Sequence, residues 1–208
     1  MKTPDFFTLI PSITMADPLA EVLGAAENGI LEYHYEEVVK LAGHSCPTVA
    51  GAYLMIQKGL KALYGDETPV RGKIKVMMKG KLGEGVVGVI ANVASMITGA
   101  TEKGGFHGLG GQFDRRDLLS YEITMEGEMA LERTDSGERV VLSYDPTIVP
   151  ADSQLGALLP LILTDKADAP ARTLFGTLWQ ERVARIMIDY RDDVRLVGCI
   201  KEKSEEHK

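Results

Sequence analysis

The chain has 208 residues, 45% of them hydrophobic and 25% charged, a balance that fits one compact domain and excludes disorder as its main state. Thirty acidic residues against 23 basic ones leave a formal charge of −7, so general nucleic-acid binding through phosphate neutralisation is not expected. Two cysteines, Cys46 and Cys199, are too few for a disulfide scaffold or a paired-cysteine zinc ribbon, and a reducing, cytoplasmic setting is the simplest expectation. No run approaches the roughly 18 apolar residues of a membrane span, and the first residues lack the continuous apolar centre of a signal peptide.

In chain order, Asp17-Pro18 has the chemistry of a helix start, and that helix is expected to end by Gly24 or Gly29. Two further helices are predicted, over Tyr35 to Leu41 and over about Pro47 to Tyr64, with the Gly43 to Pro47 turn between them. In the second, Val49, Tyr53, Ile56, Leu60 and Leu63 recur at three or four residues, and Gly65 supplies the stop. Arg71 to Lys79 alternates Ile74, Val76 and Met78 with Lys73, Lys75, Met77 and Lys79, as a strand with one buried face does. Gly85 to Ile97 is apolar nearly all round and reads as a short buried helix ending near Gly99, with a buried strand as the alternative. Leu118 to Met125, Met129 to Arg133 and Arg139 to Tyr144 are separated by turn-forming residues, which predicts an antiparallel meander. A short apolar helix from about Ser153, a longer one from Ala169-Pro170 to about Asp189, a last strand over Val194 to Ile200 and a frayed tail complete an α+β domain.

The sharpest chemical feature is Gly43-His44-Ser45-Cys46-Pro47-Thr48, an imidazole and a thiol two residues apart in a turn that opens a helix. Thiolate and imidazole are a ligand pair favoured by zinc, and the positive end of a helix dipole stabilises thiolate. The ordinary structural reading, a satisfied His and an inert Cys, stands beside it. A third ligand has to come from elsewhere, and His107, His34, Asp114 and Cys199 are the candidates. His107 leads because it lies in a glycine-rich loop that can bring it to the helix start. Cys46 as a nucleophile with His44 or His107 as its base is the other sharp reading.

Five glycines between Gly104 and Gly111 permit close approach of backbone amides to an anion, so Gly108 and Gly110 are candidate substrate-binding positions. The loop lacks the Gly-Lys-Ser/Thr ending of a nucleotide-binding loop. Asp114, Arg115 and Arg116 come directly after it, and Arg115 is a candidate clamp for a carboxylate or phosphate, with a solvated charged turn as the commoner outcome. Cys199 is expected in the core.

At Gly-His-Ser-Cys-Pro, and again at Thr98-Gly99-Ala100-Thr101 with the glycines after it, the chain resembles the formylmethanofuran dehydrogenase E-subunit family. The resemblance covers about residues 30 to 145, with 1 to 30 as an amino-terminal extension and 146 to 208 as carboxy-terminal helices and a last strand of one domain. It implies helices packed on a mixed, largely antiparallel sheet, often as a homodimer. It further implies zinc at His44 and Cys46, the carried-over pair, with the site rebuilt by His107 or another group or else metal bound weakly or not at all, and an accessory role in one-carbon or molybdenum/tungsten enzyme metabolism. Ala42, Ala100 and Thr48 stand where the family pattern has His, Cys and Gly, and the zinc-ribbon domain of some members is absent. Two other functions fit these residues. One is a metal-dependent hydrolase or transferase whose anionic substrate is held by Arg115 or Lys103. The other is a non-catalytic subunit docking on a larger enzyme complex.

Overall fold

Asp17 and Pro18 begin a helix for the reasons their chemistry supplies, and the surrounding chain folds around that start. In this computed structural model, which describes residues 3–202, strand β1 (Ile13–Ala16) leads into helix α1 (Pro18–Val22) and back through strand β2 (Ile30–Tyr33), which pairs antiparallel with β1. One Asp17 carboxylate oxygen accepts from the backbone N–H groups of Leu19 and Ala20 at 2.9 and 3.3 Å. The two-stranded sheet has no strong alternation in sequence. It exists because Ile13 and Met15 are buried against the rest of the core.

Helices α2 (Tyr35–Ala42) and α3 (Pro47–Tyr64) follow as predicted. The α3 stripe Val49, Tyr53, Ile56, Leu60 and Leu63 is buried throughout. Strand β3 (Ile74–Met78) buries Ile74, Val76 and Met78, as its alternation required. The apolar stretch after it is helix α4 (Val87–Thr98), with Ile90, Ala91, Val93, Ala94 and Ile97 in the core and Asn92 outside.

The remaining strands are β4 (Leu119–Ser120), β5 (Met129–Arg133) and β6 (Arg139–Tyr144), then helices α5 (Leu155–Leu163) and α6 (Ala169–Ala184), then strand β7 (Val197–Glu202). A π-type turn, Arg185–Asp189, extends α6. The five-stranded sheet has the order β4-β3-β5-β6-β7. Here the expected meander is corrected. Leu118 to Met125 contributes only two strand residues, and these pair parallel with β3, Val76 opposite Leu119. A strand, a helix and a returning strand make a crossover, and crossovers produce parallel neighbours. The antiparallel run is β3-β5-β6-β7 instead.

Helices α3 and α4 cover one face of this sheet. Its other face carries ion pairs, including Lys75–Glu132 at 2.8 Å and Arg139–Glu202 at 3.1 Å. Cys199 is not a core residue as expected: β7 is an edge strand, and the thiol opposite Leu142 is exposed. The last strand also begins at Val197 rather than Val194, so Lys201 and Glu202 of the expected frayed tail are paired, while the rest of that tail lies outside the described residues. Among the described residues no helix is long and apolar enough to cross a membrane.

Candidate functional site

The His44–Cys46 turn is built as the sequence suggested, but its neighbours use it as a structural joint. Gly43 ends α2 at φ 75°, and Cys46 is the residue immediately before α3. The Cys46 side chain is buried and makes no capping hydrogen bond. Around it, Trp179 Nε1 and Gln180 Nε2 of α6 both donate to the Ser45 carbonyl, at 3.0 and 3.1 Å. Tyr144 donates to the Pro47 carbonyl at 2.8 Å, and Tyr35 shares a 3.1 Å hydrogen bond with Ser45. Gly51, one turn into α3, is required because a Cβ there would overlap the Tyr144 ring. Burial pushes the Tyr35 and Tyr144 hydroxyls well above the ordinary tyrosine range, so both stay protonated donors. His44 is exposed, and its Nδ1 donates to the Ala42 carbonyl at 2.9 Å. A carbonyl can only accept, so Nδ1 carries a proton, and Nε2 is the ring nitrogen with no partner among the described residues.

The other ligand candidates lie elsewhere. His34 is exposed at the start of α2, where its backbone N–H donates to Glu37 at 2.7 Å. His107 is exposed in the loop after α4, beside Asp114. Asp114 is itself engaged by Arg116, whose guanidinium and amide hold the carboxyl down to about 2. Among the described residues no three or more His, Cys, Asp or Glu side chains are grouped to hold a metal ion. The donors present therefore do not complete a zinc site: His44, Cys46 and His107 do not form one cluster.

The glycine-rich loop folds on itself. Leu109 and Gln112 exchange backbone hydrogen bonds at 2.8 and 2.9 Å, with Gly108 and Gly110 shaping that tight turn. Directly after the loop comes a residue cluster of which the sequence pattern shows only one member. Arg115 is not in a solvated turn. Its side chain is 6% exposed, and its Nη2 donates to Asp17 Oδ1 at 2.6 Å. Arg71 Nη1 donates to the other Asp17 oxygen at 2.9 Å, and Arg71 Nη2 donates to the Met96 carbonyl at 3.1 Å.

The backbone fixes both arginines. Arg71 N–H donates to the Ala16 carbonyl, Gly72 N–H to the Thr98 carbonyl, and Thr101 holds the Arg115 carbonyl through both its amide and its hydroxyl. Gly72 has φ 79°, and a Cβ there would overlap Arg115 Nη1, so only glycine lets the guanidinium pass. Segments distant in sequence thus converge on one carboxylate.

Two guanidinium groups share one carboxylate, which leaves one positive charge uncompensated in a mostly buried place. Two donors, Arg71 Nε and Arg115 Nη1, are buried and find no acceptor among the described residues. Burial works against ionisation of Asp17, but the Arg71 hydrogen bond, the Arg115 charge and the two backbone amides overcome it and hold the carboxyl below its ordinary value. Beside the cluster opens a cleft of about 490 Å³, walled by Pro18, Arg71, Gly72 and Lys73 on one side and by the chain from Gly111 to Arg115 on the other. That volume is in the range of small-molecule sites.

An α+β fold with an arginine pair, one buried and one partly buried, beside a cleft is the class of protein that these observations define. No protein-family model matches the chain, and no curated protein matches it either. The resemblance to the formylmethanofuran dehydrogenase E-subunit family rests on the Gly43 to Pro47 and Thr98 to Thr101 segments and on the α+β class alone.

Asp17 and Arg71 were absent from the sequence-predicted site. Asp17 was legible only as a helix cap, and Arg71 only as the first residue of an expected strand. Nothing in the linear pattern links positions 17, 71 and 115.

Proposed function

We propose that this protein binds a small anionic molecule, a carboxylate or phosphate compound, in the cleft beside Arg71 and Arg115. The observation that carries the reading is the two-to-one ratio of guanidinium to carboxylate, with Arg115 buried, Arg71 partly buried, and both walling a cavity of ligand size. Guanidinium groups suit this role because they stay charged and present paired donors that match planar or tetrahedral oxyanions. Lys73 is exposed at the mouth and adds a third positive charge.

Thermal unfolding with and without inorganic phosphate, sulfate, succinate and citrate tests the reading. At 100 times its Kd, a ligand of the native state adds about 2.7 kcal/mol of stability. The Arg115→Met variant keeps Asp17 paired one-to-one with Arg71, so it should fold yet lose the anion response. Lys73→Ala should weaken binding without altering the fold. If no anion raises the melting temperature, or Arg115→Met responds as the natural sequence does, the reading is wrong.

A second reading keeps zinc at the His44–Cys46 turn, favoured by the hydrogen bond that leaves His44 Nε2 free to ligate. With two donors from this chain, further ligands would have to come from water or a partner. Elemental analysis of purified protein beside a His44→Ala/Cys46→Ser variant decides it, since equal metal in both removes the site. The accessory role in one-carbon or molybdenum/tungsten metabolism depends on this second reading. The exposed Cys199 thiol suits a reducing, cytoplasmic setting.

A further inference from the structure

The cleft beside Arg71 and Arg115 has one wall residue that charge does not explain, Phe113. It is partly exposed, lies outside the hydrophobic core, and stacks on no aromatic ring among the described residues. Its backbone sits at φ 61°. That region suits glycine, asparagine and aspartate, whereas under a bulky side chain it is strained. Among the described residues the other non-glycine positions with positive φ are Asn28, Asp117, Glu122 and Asp165, all polar. Phe113 alone holds an apolar ring in this conformation.

The loop fixes Phe113 from both sides. Leu109 and Gln112 exchange backbone hydrogen bonds before it, and the Arg115 N–H donates to the Phe106 carbonyl after it at 2.9 Å. Gly108 permits the closure, because a Cβ there would overlap the Gln112 carbonyl. Strain imposed by surrounding contacts, at a residue outside the core and on the wall of a cavity, is characteristic of binding sites.

We infer that the cleft takes an anion borne on a flat aromatic ring, an aryl phosphate or aryl carboxylate, with the anionic group at Arg71 and Lys73 and the ring between Phe113 and Pro18. The inference rests on the anion-binding reading of the cleft and narrows its ligand. Arg71 keeps 23% of its side chain exposed and Lys73 is open to solvent, so both can meet an oxyanion, while Arg115, 6% exposed, holds Asp17 behind them. Pro18 belongs to the wall opposite Phe113, and the two apolar surfaces bound a slot for a planar body. A cavity of about 490 Å³ is much larger than an inorganic anion and leaves room for the ring. Aromatic pairs attract beyond the area they bury, and a loop already fixed loses little freedom when the ring is covered.

Isothermal titration calorimetry of the full chain with two matched pairs, methyl phosphate against phenyl phosphate and acetate against benzoate, tests the inference. In whichever pair binds, the aromatic member should bind about 10-fold tighter. Phe113→Gly removes the strain with the ring, and Phe113→Ala removes the ring alone. Both should keep the circular dichroism of the natural sequence, still bind the small anion, and lower the aromatic preference to about threefold or less. If none of the four compounds binds, the anion-binding reading fails and this inference with it. If the small anions bind and the aromatic members gain nothing, or if either truncation keeps the preference, the anion site stands and the aromatic assignment is wrong.

Discussion

Asp17 is asked to do two jobs with two oxygens. One oxygen caps α1 and takes the Arg115 hydrogen bond, and the other holds Arg71. Because the folded-state carboxyl titrates below its ordinary value of 3.8, its contribution to stability is complete above the unfolded value and is lost as pH falls through the lower, folded one. Asp17→Asn should destabilise the protein by about 3 kcal/mol near neutrality, since it strands two buried cations. It should also flatten the fall in stability between about pH 5 and pH 2, which urea unfolding across that range measures. Gly72→Ala should cost about 2 kcal/mol or more, from the positive φ and from displacing the Arg115 guanidinium. The same variant should lose the response to anions, a loss that a purely local strain would not produce.

At the level of elements, α6 decides what the His44–Cys46 turn is. By closing Trp179 and Gln180 over the Ser45 carbonyl, it converts a motif with ligand chemistry into the joint between α2 and α3. Trp179→Phe keeps most of the ring but removes the donor, and should cost about 1 kcal/mol by urea unfolding. Alkylation separates the two thiols: exposed Cys199 should react at once, and buried Cys46 only as α6 lifts away, so Trp179→Phe should accelerate labelling of Cys46 alone. The crossover β3–α4–β4 has a related effect on the cleft. It carries the chain from Thr98 through the glycine-rich loop and back beside β3, which sets Arg115 against Arg71.

For the whole molecule, the proposed cleft is built on the turns around α1 and α4, far along the chain from the carboxy-terminal hairpin. A ligand that binds only the folded cleft is linked to global unfolding, and the melting temperature should rise with anion concentration. Differential scanning calorimetry at two anion concentrations roughly a hundredfold apart measures this. The Arg115→Met variant should show no such rise.

The amino-acid sequence alone determined most helices, because their information is local: caps at Asp17, Gly43 and Gly65, and apolar spacing along α3. Strands β3, β5 and β6 were legible for the same reason, in alternation and in turn residues. The order of strands was not, since pairing depends on where a crossover returns the chain and no local pattern encodes that. His44 and Cys46 attracted attention as neighbours in sequence, and Arg115 as a candidate anion clamp whose commoner reading was a charged turn. Which of these residues share a site is a long-range matter. Only the tertiary structure brought Arg71 and Arg115 onto the single carboxylate of Asp17, because such a cluster is specified by the packing of segments that lie far apart along the chain.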